Sequence, residues 1–305
     1  MVKGESHGDH NRKRENKLRF ANSVGLVKLQ AAKVRELDAD HAASDEDVVN
    51  SSLCLDTGNG SSIALPTFEP DKLARETPHD NDLNIKFEES THTYWVRFNE
   101  NNTFTKKDII SASGFVHAYF PNFDADKVIR KMRLAKNWNE ENIYYNMTNE
   151  DIKRKWKTSG VEASKRGTCL HFLLECHYNG YPLESSSFAA VSDIRQFFRW
   201  KSTWFADLVP FRTELRMYSD QSLRLTGTAD LIAVKKDHPS PAECNGELSL
   251  HIIDWKFSKN IKYENRYEKG KGTCKDLDNC NFSLYSLQQN TYKYLLETYY
   301  KHWTW

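Results

Sequence analysis

The chain has no uninterrupted apolar stretch close to the roughly 20 residues that a bilayer-crossing helix needs. Its opening residues, MVKGESHGDH, lack the apolar core of a secretory signal. We therefore expect an intracellular protein without a membrane partner; nucleus, cytoplasm and mitochondrion are not distinguished, and no protein partner is indicated. Cysteine is sparse. Cys54, Cys169, Cys176, Cys244, Cys274 and Cys280 form no Cys-x-x-Cys pair, which argues against a zinc ribbon or a thioredoxin-type redox motif. We read them as reduced thiols. A charge excess is missing too: 43 Lys+Arg against 42 Asp+Glu leave a net +1, so total charge does not mark a nucleic-acid partner. No internal repeat is visible.

What is present is an ordinary globular composition, 39% hydrophobic and 28% charged, in 305 residues, enough for one large domain or two small ones. The charge is unevenly placed. Residues 1–83 hold 11 basic and 15 acidic residues, and the remainder carries a balance of +5, which suits a phosphate-binding surface. Stretches such as DADHAASDEDVVNSS bury too little apolar surface to offset their ordering entropy. Residues 1–83 are thus expected to form a disordered tail, and residues 84–305 a single domain. A short helix around SVGLVKLQAAKVREL is plausible, and the basic NRKR run reads as an incidental charge cluster more readily than as a nuclear address.

Order is expected from about Asn84. HTYWVRF (92–98) is aromatic and β-branched enough for a strand, and DADKVIRKMRLAK reads as a helix after the break at Pro121 and Asn122. A long helix should start at a capping box, Thr148 with Asp151, and run to Asn179-Gly180, with Gly160 and Gly167 as places where it could be interrupted. SDIRQFFRWKSTWFADL carries Ile194, Phe197, Phe198 and Phe205 at helical spacing and reads as a core-facing helix. The period then changes to two. FRTELRMYS alternates, SDQS makes a turn, LRLTGTADLIAVKK returns, and LHIIDWKFSK reads as a third, central strand because Ile252 and Ile253 are adjacent. YSLQQNTYKYLLETYYKHW closes the chain as a helix. Helices, a β-meander and a helix predict an α/β fold with a mixed central β-sheet flanked by helices.

The meander holds the chemistry. Asp254 and Lys256, two apart on the predicted third strand, should share a face, and Asp230 ends the phrase GTAD on the neighbouring strand. Two convergent carboxylates are costly unless a cation neutralises them, and a lysine beside them can orient a water. Asp-x-Lys alone is commonplace on a solvated strand. Following LHII, however, it asks for a partner.

With these residues in view, the ordered series RGTCLHFLLE, TELRMYS, LTGTADLI, IIDWKFSK and QQNTYKYLLE over residues 85–300 resembles the RecB-type branch of the PD-(D/E)XK nuclease superfamily. That branch includes the mitochondrial genome maintenance exonuclease, exonuclease V and the CRISPR adaptation nucleases. The resemblance implies a restriction-endonuclease-like core. It implies that His171, Asp230, Asp254 and the backbone carbonyl of Trp255 hold a metal, Mg²⁺ or Mn²⁺, and that Lys256 is the catalytic lysine. Gln288 and Tyr292 match the Q-x-x-x-Y motif that supports the site and the nearby phosphate. Glu214 matches an acidic position on the strand before GTAD and would stand outside the metal shell, as would Glu175, one helical turn from His171 and placed to orient it. Each has a plainer alternative: His171 as a core histidine, Gln288 and Tyr292 as helix packing, Glu214 in an ion-pair ladder with Arg212 and Arg216. Some relatives anchor an iron–sulfur cluster through cysteines after Q-x-x-x-Y. None follows Tyr292 here, so no cluster is expected, and the C-terminal clamp of such relatives is not expected after HWTW.

The expected function is hydrolysis of DNA phosphodiester bonds by a metal-dependent exonuclease acting on single strands or free ends in repair, replication or recombination. Tyr119, Phe120 and Trp156 could stack on bases but read more readily as core. The alternatives are a structure-specific endonuclease and a non-catalytic DNA-binding module of the same fold.

Overall fold

A computed structural model describes residues 54–56, 62–98, 103–237, 249–258 and 260–300. The NRKR run, the helix expected near SVGLVKLQAAKVREL, and Cys244 lie outside the described residues. The strands in chain order are β1 (Cys54–Asp56), β2 (Ser62–Ala64), β3 (Ile85–Glu88), β4 (Thr93–Arg97), β5 (Phe104–Thr105), β6 (Ile110–Ser111), β7 (Leu208–Tyr218), β8 (Leu225–Lys235) and β9 (His251–Ile253). The α-helices are α1 (Lys72–Glu76), α2 (Ala112–His117), α3 (Ala125–Arg133), α4 (Asn149–Tyr178), α5 (Ser192–Trp204) and α6 (Asn281–Tyr299).

The main sheet is mixed, as expected, but β8 rather than the third strand is its centre. β7 pairs antiparallel along one edge of β8. On the other edge β6 pairs parallel with Leu225 and Thr226, and β9 pairs antiparallel with Leu231, Ile232 and Ala233. Residues 227–230, the four residues of GTAD, fall between these two partners. β8 is apolar enough to be buried on both faces: Leu225, Ala229, Leu231, Ile232 and Ala233 are fully buried. Leu225, Ala229 and Ile232 join a core with α2 and α6, through Phe115, Val116, Tyr292 and Leu295. Leu231 and Ala233 join a second core with α4 and α5, through Leu173, Tyr178, Ile194 and Phe197. The sheet is therefore covered by helices on both sides.

Local signals set the long helix. Thr148 accepts from the Asp151 amide and Asp151 reaches back to the Thr148 amide, a complete capping box. The helix then runs unbroken through Gly160 and Gly167 to Tyr178. Each glycine costs about 1 kcal/mol against alanine, less than the packing of Cys169, Leu173 and Leu174 in the second core returns.

Two expectations are corrected. The third strand is only His251–Ile253 long, so Asp254 and Lys256 lie beyond it. The reason is local: the Trp255 amide donates to the Asp230 carboxylate (2.6 Å) rather than to a ladder carbonyl, and the ladder stops. Order also begins well before Asn84. Leu73 of α1 is buried in the second core, and its amide donates to the Asn179 side chain (2.8 Å). Arg212, itself buried, donates to the Thr77 carbonyl (2.6 Å) and pairs with Asp82 (2.9 Å). The second part of the expected tail thus packs on the domain; residues 1–53 lie outside the description.

Of the aromatics considered for base stacking, Phe120 is core and Tyr119 packs against it. Trp156 stands edge-on to Phe123 and Tyr144 and donates its indole N–H to Tyr144. Cys169, Cys176, Cys274 and Cys280 carry no disulfide.

Candidate metal centre

Four separate elements deliver the site. α4 supplies His171 and Glu175 one turn apart, β7 supplies Glu214, β8 supplies Asp230, and the segment after β9 supplies Asp254, Trp255 and Lys256. His171, Glu214 and Asp230 each bring a ligand atom within 4.8 Å of the others. His171 Nδ1 lies 3.6 Å from Asp230 Oδ2. This close triad differs from the expected one: Glu214, expected at the periphery, is in it. Asp254 stands beside it, with Oδ2 2.6 Å from Lys256 Nζ and its side chain only 6% exposed.

Glu214 reaches the cluster through its backbone. Its φ of +45° puts a non-glycine residue in the left-handed region in mid-strand. The flanking pairs, Thr213 with Leu231 and Leu215 with Ala229, keep one register, so no residue is inserted and the distortion is confined to Glu214 opposite Asp230. Strain of this kind is held by surrounding structure and gathers at functional sites. The ion-pair ladder considered for Glu214 does not form with Arg212, whose guanidinium turns to Asp82.

The electrostatics identify an excess of buried negative charge. Burial, followed by repulsion from Asp230, Glu175 and Glu89, pushes the Glu214 carboxyl up to about 9. Burial lifts Glu175 to about 7, with Arg216 opposing. Asp230 is raised by burial and then by Asp254, against the Trp255 amide and Lys256. His171 is held below its ordinary value, first by burial and then by Lys256, so the neutral imidazole is favoured. A backbone hydrogen bond with Trp255 works the other way on His171. The Trp255 amide itself donates to Asp230, so this residue's backbone serves both His171 and Asp230.

On the other side of β8, Tyr292 and Gln288 of α6 meet as the Q-x-x-x-Y spacing implies: Gln288 Nε2 donates to the Tyr292 hydroxyl at 2.7 Å. The Tyr292 ring lies against Gly227, where an added Cβ would come within 2.6 Å of it. The Tyr292 hydroxyl is driven up by burial and then by the negative charge of Asp254, so it stays a proton donor.

The sequence did not single out Tyr94, whose hydroxyl shares a 2.7 Å hydrogen bond with Thr228 inside GTAD. Burial pushes it up to about 12, with Glu214 and Arg216 among the charges acting on it. Tyr285 was also missed; its ring lies 5.4 Å from Lys256 Nζ. Arg216 had a signal, its place on the same face of β7 two residues from Glu214. Tyr94 had none, since the β3–β4 hairpin that carries it is brought to β8 only by the fold.

One imidazole and two or three carboxylates, with carboxyls driven toward protonation, make a donor set that fits a hard or borderline divalent cation. A cation there would replace the protons that burial now favours. No protein-family model, curated protein or solved structure matches the chain. No helix among the described residues is long and apolar enough to cross a membrane.

Proposed function

We propose that the chain is a metal-dependent nuclease with a restriction-endonuclease-like core, hydrolysing DNA phosphodiester bonds and acting from free ends or on single strands. The observation that carries the reading is the convergence of His171, Glu214 and Asp230 within 4.8 Å beside the Asp254–Lys256 pair. The order of motifs resembling the RecB-type PD-(D/E)XK nucleases supports the same reading.

His171, Glu214, Asp230 and the Trp255 carbonyl would hold Mg²⁺ or Mn²⁺, with Asp254 at their side. A divalent cation there supplies Lewis acidity at the phosphate and acidifies a water. The protein's own groups do the rest. Burial keeps the His171 lone pair available. Asp254 anchors the Lys256 ammonium, whose remaining hydrogens can orient a nucleophilic water and bind a phosphate oxygen. The Tyr292 hydroxyl accepts from Gln288 and keeps its own hydrogen to donate toward the reacting group. Glu175, one turn from His171, adds negative charge that favours cation entry.

The test is end-labelled linear single- and double-stranded DNA and circular single-stranded DNA, incubated with Mg²⁺, with Mn²⁺ or with chelator. We expect metal-dependent loss of linear DNA and survival of circles. Cleaved circles would make the protein an endonuclease. DNA binding without cleavage in either metal would make it a binding module and overturn the proposal.

A further inference from the structure

Between α4, α5 and the segment after β9 lies a pocket of about 430 Å³, within the roughly 300–1,000 Å³ typical of small-molecule sites. Its walls include His171, Asp254 and Lys256, so it opens directly off the metal centre. The remaining lining is of another kind. Trp200, Trp255 and Phe257 are aromatic, and Asp193 and Gln196 are polar.

These side chains are set in place. Trp200 and Trp255 stand perpendicular at 5.0 Å, backed by Phe197. Phe257 is 42% exposed, with the Arg166 guanidinium 5.4 Å from its ring. Arg166 also holds Asp193. Its Nε and Nη2 both donate to Asp193 Oδ2, the first at 2.7 Å, so Oδ1 remains as an acceptor. Gln196, exposed on α5, offers an amide with two donors and one acceptor. The metal centre's work on phosphate needs none of these groups.

We infer that this pocket is a nucleobase site: it takes the base of the nucleotide whose phosphate lies at the metal centre. The inference rests on the nuclease reading for that phosphate. Aromatic rings stack on any base. Asp193 Oδ1 can accept from an exocyclic amine, and the Gln196 amide can meet a base edge in either sense. Lys256 and Arg166 place positive charge where the sugar-phosphate enters. A nucleotide can swing its base into such a pocket most readily at a free end, where unstacking disrupts least.

The experiment uses the full chain with Mg²⁺ and compares deoxyadenosine 5′-monophosphate with 2-deoxyribose 5-phosphate by calorimetric titration. Saturation-transfer spectra report whether adenine protons touch the protein. We expect the nucleotide to bind about tenfold or more tightly than the sugar phosphate, a difference that stacking of one base supports. Phe257→Ala and Gln196→Ala, both at exposed positions, should each reduce that difference to about threefold or less. Equal affinities, no binding of millimolar nucleotide, or a difference untouched by both variants would overturn the inference and leave an exposed aromatic patch only. Cleavage of linear DNA in the same buffer reads the nuclease proposal separately. Cleavage without base-dependent binding removes the pocket alone, and base-dependent binding without cleavage in any metal removes the nuclease alone.

Discussion

Asp254 and Glu214 are carboxylates of one centre, held in opposite electrostatic circumstances. Asp254 is nearly fully buried, and its charge is met by Lys256 at 2.6 Å. Glu214 faces Asp230 and Glu175, and burial drives it to about 9. One half of the centre is complete within the chain. The other half carries negative charge that only a proton or an added cation can relieve. The difference assigns different work to the halves: the Asp254–Lys256 half aims a fixed positive group, and the Glu214–Asp230–His171 half recruits one.

The largest expected effect comes from breaking the completed half. Asp254→Asn and Lys256→Ala should each lower the cleavage rate by on the order of 10²–10³, the range found when a preorganised charge is removed. DNA binding, read by a filter or polarisation assay, should stay within about threefold. Cleavage within threefold of wild type in either variant would show that the pair is not at the reaction and would sink its assignment.

The recruiting half predicts a stability signature with a definite sign. Glu214 has a raised folded value, so between about 4.5 and about 9 the metal-free folded chain binds a proton that the unfolded chain does not. Stability contributed there is present at low pH and is lost as pH rises through that window. Glu175 and Asp230 act in the same direction. A divalent cation should therefore raise the melting temperature more at pH 8 than at pH 5, by about 4 °C or more for a domain of this size. Glu214→Gln should raise the metal-free melting temperature at pH 8 and shrink the response to Mn²⁺. A metal response that is flat with pH in both proteins would mean that the cation does not replace a proton at Glu214.

His171 sharpens the same half with a smaller effect. The imidazole must be neutral to donate to a metal, and burial already favours that form. Because the folded value lies below the ordinary histidine value of about 6.5, activity should hold at that pH and fall only at a more acidic one, where added metal should partly restore it. His171→Ala should shift the Mn²⁺ concentration for half-maximal cleavage upward by about tenfold or more, in line with the loss of one ligand contact. Equal half-saturation at matched thermal stability would leave a carboxylate-only centre and return His171 to ordinary packing.

Much of this was legible in the sequence, for reasons that can be named. The capping box at Thr148, the switch from helical to alternating period near residue 208, and the phrase GTAD are local, and local signals survive without tertiary information. The Q-x-x-x-Y spacing placed Gln288 and Tyr292 on one face because i and i+4 share a face of any helix. What was not legible depends on long-range contacts. Asp254 and Lys256 meet through an ion pair past the end of β9, because the Trp255 amide leaves the ladder for Asp230. Glu214 enters the cluster through a left-handed residue that nothing in TELRM announces. α1 belongs to the domain because Leu73, Thr77 and Asp82 satisfy Asn179 and Arg212, more than 100 residues away.

The smallest effect expected lies in the frame that serves the completed half. Gly227 sits in the part of β8 between β6 and β9, and the Tyr292 ring lies directly on it. An alanine methyl would come 2.6 Å from that ring, a distance that forces one of them to move. Ala112 also lies close, 3.3 Å from the added atom, so the methyl has little room to shift the other way. Overpacking of this kind costs about 1–3 kcal/mol. The displaced ring would carry the Tyr292 hydroxyl away from Asp254 and strain the 2.7 Å bond from Gln288. Gly227→Ala should therefore lower cleavage by roughly tenfold, the scale of a misplaced supporting group, without changing the Mn²⁺ half-saturation, because no recruiting residue moves. Tyr292→Phe separates the two contributions: it keeps the ring on Gly227 and removes only the hydroxyl. If Tyr292→Phe matches wild type in rate while Gly227→Ala does not, Tyr292 is packing and not a proton donor. If Gly227→Ala instead changes metal affinity, the two halves are mechanically one, and the division between an aiming half and a recruiting half fails.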